Sequence, residues 1–338
     1  METRSWSVAA FGLLFVGAHE IATDYNQTRS VHFASEMSME MEQTSSRMER
    51  DGQPVENPWG SGGMSSATTR QLEWTDKLLE HKDGAPTKVQ RKFGEQKQGS
   101  TMVFGENERS DERDGALAGV TLELTLGDGG EVEAKAIEGD APGESLKGHR
   151  LTLSLDAFLP EKAVDDGDAW ELDAAAVKRG LALDLNPILF PPPTEEPSGD
   201  SGRGRRGPRG GSGGMLLMSA EWEGKATLSD STEEYDGAAC QIIKLEIEAD
   251  GTLEEPSFGG GRGRAFGLEA AAVFETTYEV KLEGRLLYDA IKKLPVRLEL
   301  EGKAKIESNR SFEREGSTTK MESTQEGTIR LEATASVE

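Results

Sequence analysis

A chain of 338 residues with a formal net charge of −24 projects a negative potential that works against nucleic acid and anionic lipid surfaces and favours solubility or a cationic partner. Its length allows two average domains or one large β domain, but only 35% of residues are hydrophobic and 40 are glycine, so part of the chain is expected to lie outside any packed core. The single cysteine, Cys240, excludes an intramolecular disulfide and a cysteine-based metal cluster.

Residues 1–22 start with METRS and continue WSVAAFGLLFVGA. That apolar run has the length of a signal-peptide core and is too short for an ordinary membrane span. Val16 and Ala18 place small residues for cleavage after Ala18, with Ala22 as a second choice, although Glu2 offsets Arg4 in the leading segment. The expected location is secreted or periplasmic. No later stretch approaches 18 apolar residues, so no transmembrane span is expected in the mature chain.

From Phe33, the residues Met37, Met39 and Met41 alternate with Glu36, Ser38, Glu40 and Glu42, the pattern of a half-buried strand. Methionines adapt their shape, so this face can fill an irregular core or line a soft ligand cavity. Residues 51–66, rich in Gly, Pro and Ser, read as a loop. Residues 71–80 read equally as strand or short helix, and 81–100 form a polar, basic stretch. The pattern Val120, Leu122, Leu124, Leu126, then Gly127-Asp128-Gly129-Gly130, then Val132, Ala134, Ala136 predicts a hairpin, because Gly and Asp tolerate the positive φ of tight turns. Leu151, Leu153 and Leu155 predict a strand over 151–159 that Pro160 closes. Asp173 is a predicted N-cap, with Lys178, Arg179 and Gly180 ending the helix.

The phrase Leu159-Pro160-Glu161-Lys162, then Val164, Gly167-Asp168 and Trp170, resembles the "LP…V…GDxW" phrase of exported bacterial β-rich proteins of unknown function. The likeness covers about half the chain, and the segments 222–226 and 284–289 also look similar to that family. It implies a signal peptide and two runs of antiparallel strands, and it brings no catalytic residues.

Residues 191–214, PPPTEEPSGDSGRGRRGPRGGSGG, cannot bury enough apolar surface to offset the entropy of ordering, so a flexible linker or surface loop is expected. A second Gly/Arg loop is expected at 258–264. Strands follow over 215–228, 238–248 and 270–282. Tyr278, Val280 and Leu282, then Val296, Leu298 and Leu300, alternate with charges and predict a pair of strands. The last residues, 328–335, predict another.

Gly199-Asp200-Ser201-Gly202 matches a serine-protease signature locally but lacks a histidine partner in context. His19, His32, His81 and His149 are scattered, and no zinc spacing joins them. Asp165, Asp166 and Asp168 make a carboxylate turn without calcium-loop spacing. Asn26-Gln27-Thr28 and Asn309-Arg310-Ser311 are sequons that matter only in a eukaryotic secretory route.

The expected fold is therefore mainly β, an antiparallel curved sheet or open barrel with one or two short helices and a disordered internal loop. The parts are a signal peptide (1–22), a β-rich half (23–190), a linker or loop (191–214) and a second β-rich half (215–338), the halves forming one architecture. The expected function is non-enzymatic, cofactor-free binding of a hydrophobic or lipid-like ligand, with Phe33, Met37, Met39, Met41, Tyr278, Val280 and Leu282 as candidate ligand residues. The alternatives are a structural or protein-interaction module of the cell envelope, or a hydrolase whose polar cluster the sequence does not reveal. No nucleic-acid partner is expected.

Overall fold

Alternating apolar and polar residues recur over stretches far longer than an average strand, and the structure pairs them into one large sheet. The computed structural model describes residues 18–56, 63–191, 217–255, 273–314 and 316–338. The expected signal segment up to residue 17, the low-complexity tract from residue 192, the loop at 258–264 and the Gly199–Gly202 signature lie outside the described residues.

The first half supplies β1 (Ser30–Arg50), β2 (Gln53–Pro54), β3 (Met64–Lys82), β4 (Ala85–Phe104), β5 (Asn107–Asp114), β6 (Thr121–Leu126) and β7 (Val132–Glu138). A crossover then carries two 3-10 turns, Gly143–Leu146 and Ser154–Phe158, the short strand β8 (Ala169–Leu172), and helices α1 (Ala174–Gly180) and α2 (Asn186–Leu189). The second half supplies β9 (Trp222–Tyr235), β10 (Ala238–Glu255), β11 (Val273–Asp289), β12 (Leu294–Arg314) and β13 (Ser317–Val337). Among the described residues these form one antiparallel sheet of 13 strands, ordered β7-β6-β4-β3-β1-β13-β12-β11-β10-β9-β8, with β2 on β1 and β5 on β4. Its path ends at β7 and at β8, so it is not closed on itself. Both halves of the chain thus share one sheet, joined where β1 pairs with β13 from Val31↔Val337 to Arg50↔Thr319.

Three hairpins turn on Asp-Gly pairs with positive φ at both residues: Asp51-Gly52, Asp83-Gly84 and Asp236-Gly237. This is the two-residue turn whose twist matches that of the strands it joins. Farther into the sheet, glycines let adjacent strands approach where it bends. A Cβ at Gly302 would stand 1.8 Å from the Lys281 carbonyl oxygen, and one at Gly284 would stand 1.9 Å from that of Glu299. Such glycines mark strong coiling of a sheet.

The sheet has two unlike faces. Outward side chains are charged rung after rung, as in Glu246, Glu248 and Asp250 on β10 or Glu299, Glu301 and Lys303 on β12. The inward face carries Phe33, Trp74, Val280, Leu282, Leu298 and Leu331, all buried, and the crossover packs against it with Leu155, Phe158, Val177 and Leu185, each 0% exposed. At about 25 cal/mol per Å² of apolar area removed from water, this two-layer contact is the main stabilising term. Asp173 caps α1 by accepting from the Ala176 N–H, as its position predicts. Residues 71–80 are strand. The strand expected over 151–159 is corrected to an irregular segment and a 3-10 turn, Ser154–Phe158, with Leu151, Leu153 and Leu155 buried in the core.

The residues that carry the sequence resemblance hold the crossover in place. Val164 pairs with His19 through two backbone hydrogen bonds of 2.7 and 3.0 Å. Trp170 donates its indole N–H to the Phe158 carbonyl at 3.2 Å, and the Asp165 N–H bonds the Asp168 carboxylate at 2.9 Å. Tyr288 donates to the Ala22 carbonyl at 2.7 Å and Asp289 closes the next turn through the Ile291 and Lys292 N–H groups.

Candidate functional site

The expected ligand residues all lie on the inward face. Phe33, Met37, Met39 and Met41 follow one another along β1, and Tyr278, Val280 and Leu282 along β11, two strands beyond β13. All seven are at most 7% exposed and belong to one hydrophobic cluster. Phe33 stacks on Trp74 with ring centroids 4.1 Å apart. Under the crossover, therefore, the interior is filled by side chains.

Along the same strands the inward face changes character. On β3 and β4 the rungs run Trp74↔Phe93, Leu72↔Gln96, Arg70↔Gln98, Thr68↔Ser100 and Ser66↔Met102. On β1 and β13 the corresponding series passes Met39↔Ile329 and Met41↔Gly327 and reaches Ser46↔Ser323 and Met48↔Met321. Large aliphatic and aromatic groups thus give way to methionine, serine, threonine and glutamine. Exposure changes only in part: Ser66, Gln98, Ser100, Met102, Met321 and Ser323 are half-buried, whereas Gln96, Thr68 and Met48 remain buried.

Buried charged side chains lie both inside the filled half, at the Asp76↔Arg91 rung on the inner side of Trp74↔Phe93, and at the boundary, at Arg70. Arg91 bonds Asp76 through Nε and Nη2 at 2.7 and 2.8 Å, a bidentate pair in which both side chains are at most 1% exposed. Arg150 pairs with Asp184 and donates to Ser154 at 2.7 Å. Arg70, 1% exposed, instead donates to two backbone carbonyls of the crossover, Leu181 at 2.7 Å and Ala182 at 3.1 Å. Burial drags its guanidinium down to about 10, opposed by the nearby Asp184 carboxylate. On the same rung, Gln98 accepts from Arg113 Nε at 3.1 Å, and the exposed Arg113 also stacks over Phe190 at 5.4 Å. Among the described residues, buried polar atoms without a hydrogen-bond partner occur at the boundary, at Arg70 Nε, both polar atoms of the Gln96 amide and Asp184 Oδ1, and deeper in the core, at Trp74 Nε1, Arg91 Nη1 and His149 Nδ1.

His149, 6% exposed, donates from Nε2 to the Ser145 carbonyl at 2.8 Å. Burial, reinforced by Arg91, pushes its imidazole down to about 4. It is a neutral interior group, walled off from solvent. Asp156 accepts from Thr23 and Tyr25, and burial lifts its carboxyl to about 6. Among the described residues no group of three or more His, Cys, Asp or Glu is arranged to hold a metal ion. Cys240 is buried. His81 is exposed and lies 3.2 Å from the Asn26 carbonyl.

Two grooves open on the outer face. One, of about 450 Å³, runs among Glu248, Asp250, Glu279, Lys281, Lys305 and Glu307. The other, of about 300 Å³, is bordered by Glu36, Gln71, Glu73, Glu95 and Glu332. Their charged walls are already engaged in part, as in Lys281–Glu279 at 2.9 Å and Lys305–Glu307 at 2.8 Å.

Neither protein-family models nor curated proteins match this sequence. Among solved structures, similarity is found to the β domain of the Bordetella autotransporter Brka, at 7% identity and a TM-score of 0.14 over 89% of this chain and 98% of that one. A likeness at that level carries no argument about fold or location. Among the described residues no helix is long and apolar enough to cross a membrane, and the charged outward face of the strands is the reverse of the apolar belt that lipid-facing strands carry.

Proposed function

We propose that this chain is an extracytoplasmic binding protein that takes a hydrophobic, lipid-like ligand on the outer half of its inward face and acts without catalysis. The observation that carries the reading is the change along continuous strands, from a filled apolar core to half-buried rungs of methionine and hydroxyl side chains. Methionines conform to flexible apolar ligands and hydroxyls accept or donate to whatever polar groups such ligands carry. Mass spectrometry of organic extracts from the folded, purified chain checks this, together with binding of a hydrophobic dye. Co-purified lipid and dye binding below the unfolding transition are expected; the absence of both sinks the reading.

Export is part of the same proposal. Packing supports cleavage after Ala18 over cleavage after Ala22, because Ile21 is 2% exposed and the bonds of His19 to Val164 and of Ala22 to Tyr288 tie this segment to the core. N-terminal sequencing of exported protein is expected to start at His19, and a start at Thr23 contradicts this. A second reading, an envelope interaction module, draws on the acidic outer groove at Glu36, Glu73, Glu95 and Glu332. It requires salt-sensitive cross-linking to a cationic partner.

A further inference from the structure

Residues 19–29 form a strap between the crossover and β1, at the end of the sheet that the crossover covers. Backbone bonds fasten its start to Val164, its middle to Lys293 through the Asp24 N–H at 3.1 Å, and its end to β3 through the Arg29 carbonyl and the Leu78 N–H at 2.9 Å. Ala22 exchanges two hydrogen bonds with the Tyr288 hydroxyl of β11. Ile21 and Tyr25, 2% and 7% exposed, join the core.

The strap meets the crossover at Asp156, in the Ser154–Phe158 turn. Thr23 Oγ1 donates to one carboxylate oxygen and Tyr25 Oη to the other, while Tyr25 Oη accepts from the Leu153 N–H at 2.8 Å. Asp76 and Asp184 each pair with an arginine, but among the described residues no cation is bonded to Asp156. Arg29, on the strap, is the positive charge that acts on it. On β11, Tyr288 lies near enough for burial and the Asp156 charge to hold its proton, and Asp76 on β3 adds a further negative charge beside Tyr25. Helix α1 and strand β12 also pack on this turn. The first carries Lys178 and Arg179 in its last turn, neither of them bonded to Asp156, and the second buries Val296 and Leu298. A carboxylate sealed in without a bonded cation favours its neutral form.

We infer that residues 19–29 are a pH-responsive strap, clamped to the crossover while Asp156 is protonated and loosened from it as that carboxyl ionises. The protonated acid keeps both contacts, because a hydroxyl accepts as readily as it donates. With the strap in place burial lifts the carboxyl to about 6, against an ordinary value of 3.8. Lifting the strap returns the carboxylate to water, so the closed form binds more protons than the open one. Closure is therefore strongest below pH 4 and weakens as pH rises through 6.

The test is hydrogen exchange of the full chain between pH 4.5 and 7.5, with rates corrected for intrinsic exchange and read by mass spectrometry on peptides covering 19–29 and, for comparison, β11 and β12. Protection of the strap is expected to fall about thirtyfold over this range, as follows from a carboxyl near 6 when closed and 3.8 when open, while β11 and β12 keep theirs. Asp156→Asn cannot ionise yet still accepts and donates, so it is expected to hold the strap closed at pH 7.5 and flatten the profile. Thr23→Val removes one donor to the ionised carboxylate and is expected to lower protection more at pH 7.5 than at pH 4.5, whereas a merely structural contact would lose equally at both. If Asp156→Asn does not fold, the wild-type profile and Thr23→Val carry the test. Strap protection independent of pH overturns the inference, as does a fall shared equally by β11 and β12, or a slope that survives Asp156→Asn.

Discussion

The two halves of the inward face are built on the same strands and obey the same period of two, yet they differ in nearly everything else. In the half beneath the crossover, Phe33, Trp74, Val280 and Leu298 are at most 1% exposed. They meet a second layer whose Phe158 ring would stand 2.2 Å from a Cβ at Gly180, so there is no slack between helix and turn. In the outer half the same face presents Ser66, Ser100, Met102, Met321 and Ser323, half-buried. A sheet optimised for stability would continue its leucines and valines for as long as a covering layer exists and stop its strands where that layer ends. This sheet continues for several rungs with softer, more polar side chains.

Trp74→Ala is expected to be the most damaging change, because it removes the ring on which Phe33 stacks and over which Arg91 lies at 5.3 Å. A loss of about 3–5 kcal/mol is anticipated for a large aromatic in a packed core, read from the midpoint of urea unfolding. A loss under about 1 kcal/mol would mean that the covered half is packed no better than the outer half.

Next comes pH. His149 has a folded value near 4, below its usual 6.5, so between those values the unfolded chain binds more protons and stability rises with pH. This depression corresponds to roughly 3 kcal/mol, fully present above pH 6.5 and lost as pH falls toward 4. Asp156, raised to about 6 from 3.8, has the opposite sign, since the native state binds more protons over that window and its contribution declines as pH rises. Subtracting the pH profile of His149→Gln from that of the wild type isolates the histidine slope. A flat difference would show that His149 is not sealed in as described.

Gly302→Ala is expected to cost about 1–3 kcal/mol, since its Cβ meets the backbone of β11 rather than a movable side chain, with the Lys281 oxygen at 1.8 Å. Gly129, with nothing within 4 Å, should tolerate alanine within about 0.5 kcal/mol. Thermal unfolding of the pair separates backbone approach in the coiled sheet from mere turn flexibility. The smallest effect belongs to the outer half: Met102→Ala should cost under about 1 kcal/mol in urea unfolding. A cost like that of Trp74→Ala would place Met102 in a core and erase the contrast between the halves.

Much of the sheet could be read from the sequence because its two faces differ so sharply. Glu36 to Glu42 around the methionines, and the charges around Val280 and Leu298, spell out an outer face in water. The hairpin at Asp128 was legible for the same reason. Strand β4 was not, because Arg91 interrupts its inward Val89 and Phe93 and the inward positions beyond them are Gln96, Gln98 and Ser100, and periodicity in hydrophobicity fails where the buried face is polar. Those are the residues that border the candidate site, so what hid the strand also marks the boundary. Leu151, Leu153 and Leu155 misled in the opposite sense: an irregular segment pressed against a core buries alternate leucines just as a strand does. The Asp-Gly pairs at 51, 83 and 236 carried a usable turn signal that composition alone did not weigh. The pairing of Arg70 with crossover carbonyls had no local signal, since its partners lie 111 and 112 residues away.

The seam between β1 and β13 has a consequence for how the molecule is made. Its ladder runs nearly the full length of both strands, from Val31↔Val337 to Arg50↔Thr319, and it sits in the middle of the sheet, not at an edge. Until β13 has been synthesised, β1 exposes a complete row of unpaired donors and acceptors beside the methionine face, and the two wings of the sheet have no common spine. Loop closure over nearly the whole chain makes this step slow relative to local hairpins. Before that, the sheet can exist only as two separate wings of locally paired strands, β1 to β7 and β9 to β12, which the last strand joins.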